Sequence, residues 1–202
     1  MLLYGASGHG KVICSVLEQI AEPIMGFFDD NLSIVDLNGY KTLGSYDANL
    51  FSEEAVIITI GDNKVRKLIV QKVRHTFGKC ISPSCYCDNL VSVGDGSVIL
   101  QGSVIQRDTI IGKHVIVNTA SSIDHDCTIG DYVHISPGAT ICGSVQIEEG
   151  THIGAGASVI QNIKIGKWCV VGAGAVIIND IPDYSVVVGN PGRIIKNRNE
   201  IK

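Results

Sequence analysis

Fifteen consecutive six-residue units run from Val91 to Asp180 without an insertion. The third residue of every unit is Ile or Val, from Val93 and Ile99 through to Val171 and Ile177. The first residue is always Val, Ser, Thr, Cys, Ala or Ile. A six-residue period held this long signals a parallel β-helix. Eighteen residues make one triangular coil, so the repeats supply about five coils, roughly 24 Å tall at the usual spacing of parallel strands. The third-position aliphatics point inward and stack in columns, a one-dimensional core. Gly, Asn and Asp late in each unit supply the corners. Hexapeptide repeats coil left-handed, against the usual crossover rule.

The chain changes character near residue 80. Before it, Leu2–Tyr4, Ile24–Phe28 and Ala55–Ile60 read as buried strands. Lys11–Ile20 and Lys64–Thr76 read as helices, the second with Val65, Leu68, Ile69 and Val73 as its buried stripe. Strands alternating with helices predict a small parallel sheet of Rossmann type. Pro83 marks the junction. The expected organisation is an α/β domain over residues 1–80, then a left-handed β-helix over residues 81–202 that ends in a tail from Tyr184.

A net charge of −4 argues against a nucleic-acid binder. No apolar run approaches the ~18 residues of a membrane span, and the opening MLLYGASGHG is not a secretory signal. The seven cysteines are odd in number and form no C-x-x-C pair. They read as reduced thiols packed in a core, which fits the cytoplasm.

A regular solenoid is mostly structural, so chemistry is sought where the repeat is violated. The densest violation is Asp124-His125-Asp126, at a corner where side chains face outward. A carboxylate beside a histidine fixes its tautomer and supports it as a general base; a solvated corner histidine with acidic neighbours has the same sequence. His134 and His152 lie eighteen residues apart and stack on one face, while Tyr132 stacks above His114. Such a face suits a ligand, a metal between subunits or plain packing. Gly154-Ala155-Gly156 and Gly172-Ala173-Gly174 also stack, as side-chain-free columns along which a thin amide-bearing chain such as pantetheine can lie, or as simple corners. In the first domain Gly5-x-x-Gly8-His9-Gly10 joins a strand to a helix and aims N–H groups as a phosphate cradle would. Asp29-Asp30 and Gly61-Asp62-Asn63 follow the other strands at the same sheet edge.

These motifs together resemble the bacterial sugar O/N-acyltransferases of the left-handed β-helix superfamily. That family includes sialic acid O-acetyltransferases and N-acetyltransferases of nucleotide-linked 4-amino-4,6-dideoxy sugars. The resemblance rests on Tyr4-Gly-Ala-Ser-Gly-His-Gly10, Phe28-Asp-Asp30, Ile60-Gly-Asp62, Asp124-His-Asp-Cys127, Ile129-Gly-Asp-Tyr-Val-His-Ile-Ser-Pro-Gly138 and Val188-Gly-Asn-Pro-Gly192. It implies an acetyl-CoA-dependent enzyme with no metal. His125 would be the proton acceptor and Asp126 its partner, where relatives often carry Glu. His134 would contact the thioester, and Gly143, Gly154, Ala155, Gly172 and Ala173 would line the pantetheine track. Ser7, Gly8, His9 and Gly10 would meet phosphate, with Asp29, Asp30, Gly61 and Asn63 about the rest of a nucleotide sugar. Gly192 replaces the family's usual Ala. The resemblance further implies a homotrimer with sites between subunits.

The leading expectation is therefore acetyl transfer to the amine of a nucleotide-linked, UDP above all, 4-amino sugar. O-acetylation of sialic acid or another sugar hydroxyl is the near alternative. A metal-dependent hydratase of the γ-carbonic-anhydrase kind and a non-catalytic scaffold are the distant ones.

Overall fold

The protein, described over residues 1–197 by a computed structural model, is an α/β domain packed on one face of a parallel β-helix. The strands of the first domain are β1 (Leu2–Tyr4), β2 (Gly26–Phe28), β3 (Asp36–Leu37), β4 (Tyr40–Gly44) and β5 (Val56–Ile58), and its helices are α1 (Gly8–Gln19) and α2 (Asn63–Val70). The sheet order is β3-β4-β2-β1-β5, parallel apart from the β3–β4 hairpin. The chain moves from β1 to one side and later to the other. Its switch point thus lies between β1 and β5, where α/β sheets bind ligands beyond the strands' carboxyl ends.

The β-helix has three faces. One stacks Cys80–Ile81, Val98–Ile99, Ile116–Val117, His134–Ile135, His152–Ile153, Val170–Val171 and Ser185–Val188. It starts before Val91 because Cys80–Ile81 already pairs with Val98–Ile99, and it runs past Asp180 because Ser185–Val188 pairs with Val170–Val171. Arg193–Asn197 folds back on that last strand antiparallel. Residues 198–202, assigned to the tail from sequence, lie outside the described residues. The inward Ile and Val columns are buried from Ile99 to Ile177, with Val93 partly buried at their start, joined by Cys127 and Cys169 at first positions. The sixth residue of every unit from Gly96 to Gly174 has positive φ, including non-glycines such as Asp126 at 59° and Trp168 at 54°. One left-handed residue per unit makes each corner.

The α/β domain covers the first coils of the first face, here called the docking face. Ile13, Val16 and Leu17 of α1 form one core with Cys80, Val98, Leu100 and Ile116. The second helix departs from its expected form. It ends at Val70 rather than Thr76, and its N-terminus is capped by Asp62, whose Oδ1 accepts the Val65 N–H at 2.9 Å. Val65 and Leu68, expected in the buried stripe, are 42% and 58% exposed, while Asn63, Arg66 and Ile69 face inward. The surface beneath this helix is a column of β-helix backbone carbonyls, which takes hydrogen-bond donors rather than aliphatics. Among the described residues no helix is long and apolar enough to cross a membrane.

Candidate active site

His125 stands on the corner after Ser122–Ile123, 58% exposed. The left-handed backbone at Asp126 folds that side chain back, so its Oδ2 lies 2.7 Å from His125 Nδ1. Nδ1–H donates to the carboxylate and the Nε2 lone pair is left to accept a proton. Asp124 Oδ1 accepts the His125 backbone N–H at 2.8 Å. The Asp126 hydrogen bond first, then the charge of Asp124, raises the His125 pKa. The imidazole rests on Gly143 in the next coil, where a β-carbon would fall 2.7 Å from Cε1 and 2.8 Å from Nε2. A groove opens beside it, lined by Cys142, Gly143, Ser144, Gln161 and Asn162. Cys127 is no rival nucleophile: it is buried, and burial pushes its thiol up to about 11.

The β1–β5 switch point brings together most of the residues expected about a nucleotide sugar. Ser7 precedes α1 without a side-chain cap, so the N–H groups of the first turn face outward. Ser7 and Gly8 are exposed, and a β-carbon on Gly8 would meet open space. Gly10 has a different task, since a β-carbon there would fall 2.8 Å from the Gly5 carbonyl and 3.1 Å from the Phe27 ring. Asp29 builds the turn, accepting the N–H groups of Ala6 at 2.7 Å and Asn31 at 2.8 Å. Asp30 is exposed and accepts the Tyr4 hydroxyl at 3.0 Å. His9 is held near pKa 4, by burial and then by Arg66, and its buried Nε2 has no hydrogen-bond partner. Asn63 lines the cleft beside Gly61 and has a second task as well. It is buried, and its amide donates to the carbonyls of Gly150 at 3.1 Å and Thr151 at 3.3 Å, so it ties the two domains together.

His134 sits where the crevice meets the β-helix. Its Nδ1 lies 3.3 Å from the Gly61 carbonyl and its Nε2 lies 3.1 Å from Asn118 Nδ2. Asn118 Oδ1 accepts the Thr119 N–H at 2.8 Å, which orients the amide. His134 is therefore an Nδ1–H imidazole accepting at Nε2. Burial, then the charges of His152 and Arg66, lower its pKa to about 3. Its ring stacks on His152 at 4.8 Å between centroids, as the eighteen-residue spacing predicts. A cleft of about 460 Å³ runs over both rings, past Gly61, Asp62, Lys64 and Trp168. His134 and His125 thus lie in separate clefts of one chain, on different sides of the prism. Among the described residues no three His, Cys, Asp or Glu side chains converge to hold a metal.

The stacked glycine segments divide into two kinds. Gly154 and Gly172 carry the close approach of the next coil; a β-carbon on Gly154 would fall 2.6 Å from the Ala173 N. Gly138, Gly156 and Gly174 have positive φ and open space where a β-carbon would stand. Beside them Ala155 and Ala173 are exposed. The outcome is a smooth corner running along the prism. Sequence reading missed Asn118 and Arg66. Neither breaks the repeat or falls in a motif, and each acts on residues far away in sequence.

Comparison with known proteins bears on this geometry. Residues 1–73 match the PglD N-terminal domain family, and residues 108–143 and 144–179 match the bacterial transferase hexapeptide family. The acetyltransferase domain of PglB from Neisseria gonorrhoeae is 33% identical, with 96% of this chain and 98% of that chain covered and a TM-score of 0.89. Its complex with acetyl coenzyme A superposes equally well, at 0.89. PerB from Caulobacter crescentus, in complex with CoA and GDP-perosamine, is 29% identical over 96% of each chain, with a TM-score of 0.91. WeeI from Acinetobacter baumannii is 34% identical over 96% of this chain and 98% of that chain, with a TM-score of 0.86. An uncharacterised protein of Acanthamoeba polyphaga mimivirus is 32% identical over 114 residues, 55% of this chain and 23% of that protein, so this chain spans under a quarter of its length. Fold and repeats together define a transferase built on hexapeptide coils. More particularly, the chain belongs to the bacterial sugar acyltransferase family of the left-handed β-helix superfamily, enzymes whose acyl donor is acetyl-CoA.

Proposed function

We propose that the chain transfers the acetyl group of acetyl-CoA to the amino group of a nucleotide-linked 4-amino-4,6-dideoxy sugar, UDP-linked above all, with His125 as general base. The His125–Asp126 pair carries this reading. An amine must lose a proton as it attacks a thioester, and Nε2 of a carboxylate-held imidazole takes that proton. Transfer is direct, from thioester to amine, since the nearby thiol is buried. The backbone N–H of Gly143 lies on the side of the ring where the oxyanion forms. The sugar nucleotide occupies the β1–β5 crevice, its phosphates at the α1 N-terminus beside Ser7, Gly8 and His9. His134 stands at the inner end of that crevice near the thioester region, where its Nε2 accepts a pantetheine amide N–H in place of the Asn118 amide. Acetyl-CoA runs along the smooth corner past Ala155 and Ala173.

His125 and the crevice lie on different sides of one prism, so a complete site needs a second copy of the chain. That requirement supports a homotrimer with sites between subunits. The enzyme works as a cytoplasmic protein on an activated sugar precursor.

The test is to incubate the protein with acetyl-CoA and a panel of UDP-, GDP- and dTDP-linked 4-amino sugars plus sialic acid, following CoA release. Release with an amino sugar at rates lost in His125→Ala supports the reading. Release with sialic acid alone, or turnover that survives His125→Ala, overturns it.

A further inference from the structure

Helix α2 lies on the β-helix with its polar side inward. Arg66 is 1% exposed. Its Nε donates to the His114 carbonyl at 2.9 Å, and its Nη1 donates to the carbonyls of Ile60 at 3.0 Å and Gly61 at 3.2 Å. Nη2 donates to Asn63 Oδ1 at 2.9 Å and to the Tyr132 carbonyl at 2.8 Å. None of these acceptors is a carboxylate. Asn63 Nδ2 continues the series to Gly150. His114, Tyr132 and Gly150 are spaced by eighteen residues, one column of left-handed corners in three successive coils.

A buried guanidinium with no carboxylate hydrogen-bonded to it, only the charge of Asp62 nearby, is a costly way to fasten a helix, and aliphatic packing would do it with less desolvation. The planar fork has a use that aliphatics lack, because it fixes direction as well as distance. The Gly61 carbonyl receives both Arg66 Nη1 and His134 Nδ1. A group that helps seat α2 on the coils thus also holds the carbonyl that orients the His134 ring.

We infer that Arg66 is a positioning residue for acetyl transfer: it sets the height of the Gly61 edge of the crevice on the β-helix and keeps His134 in its Nδ1–H form. This rests on the proposed placement of the acceptor in the crevice. Burial acts first on His9, His114 and His134, and the Arg66 charge then lowers each of them further.

The experiment compares wild type with Arg66→Met and Arg66→Lys in the full chain. Ring nitrogen shifts of labelled His134 report its tautomer whether or not the acceptor is known. Steady-state rates give KM separately for acetyl-CoA and for the amino sugar. The expected result is an Nδ1–H signal in wild type and a mixed signal in both variants. With it comes a rise of about tenfold or more in acceptor KM. Should Arg66→Met fail to fold, Arg66→Lys is read by the same two measures, since it keeps the charge and loses the fork. An unchanged His134 signal and unchanged acceptor KM in a folded variant overturn the inference. A changed His134 signal in a protein that acetylates no sugar of the panel supports the positioning role and refutes the acceptor reading.

Discussion

The imidazole of His125 stands over Gly143, one coil further along, so close that a β-carbon there would fall 2.7 Å from Cε1. The Ser144 N–H donates to the His125 carbonyl at 2.9 Å, so backbone and ring of the same residue are both seated on that coil. Gly143→Ala should push the ring outward by about 1 Å, to relieve the 2.7 Å approach of a β-carbon to Cε1. Displacement on that scale lowers kcat by about 10²-fold. Gly143 does not have positive φ, so the fold tolerates Ala there. Initial rates and thermal melts check both parts; unaltered kcat would place the base elsewhere.

Asp126→Asn should move the acidic limb of the kcat/KM profile. The carboxylate raises the His125 pKa, and a general base works only when deprotonated. Removing the charge lowers that pKa, so the rising limb shifts to lower pH while the plateau falls, because a weaker base accepts the proton. A limb that stays in place would show that another group titrates. His134, depressed to about 3, contributes no limb near neutrality.

Ala155→Trp fills the smooth corner without entering the core, since Ala155 is exposed. It should raise KM for acetyl-CoA about tenfold or more and leave the acceptor KM alone. Thermal stabilisation by CoA, large in wild type through mass action, should shrink in parallel. Undiminished stabilisation would put the pantetheine elsewhere.

Stability should fall as the solution is acidified from about pH 6.5 toward pH 4. His9, His114 and His134 have folded pKa values of about 4, 4 and 3, below the unfolded value of 6.5. In that window the unfolded chain binds protons that the folded one does not. Stability thus rises with pH there, on the order of 1 kcal/mol per histidine per pH unit at most. Denaturant midpoints across the window measure it, and His134→Gln should flatten the slope. A level profile in wild type would mean that these rings are hydrated.

Mixing two inactive variants tests whether the site is shared. His125→Ala keeps the crevice, and Gly8→Trp keeps the base while blocking the crevice in open space. Random reassembly of an equimolar mixture should restore about a quarter of wild-type activity if each site draws on two chains. No recovery would mean that one chain supplies both halves.

Much of this protein is legible in its sequence because a six-residue period translates directly into direction. Each third position points inward and each sixth turns a corner, so Ile135 and Asp126 declare their places without knowledge of any partner. The stacking of His134 on His152 follows from spacing alone, as does the seat of His125 on Gly143 once eighteen residues are counted. Val65 and Leu68 show where this reasoning fails. Helical periodicity assumes that the buried side is apolar, and α2 instead meets backbone carbonyls of residues some 50 to 90 positions later. Asn63, which reads as a ligand contact, is also a tether for the same reason.

The sequence by itself therefore determined the coil, the register of its columns and the outward corner that bears His125 and Asp126, since all of these depend on short-range repetition. Only the tertiary structure decided which face of the prism the first domain covers and that Arg66 and Asn63 hold it there. It also decided that His134 is a neutral imidazole wedged between Gly61 and Asn118. These features arise where two separately encoded units meet, and the directional hydrogen bonds between them leave no period in the chain.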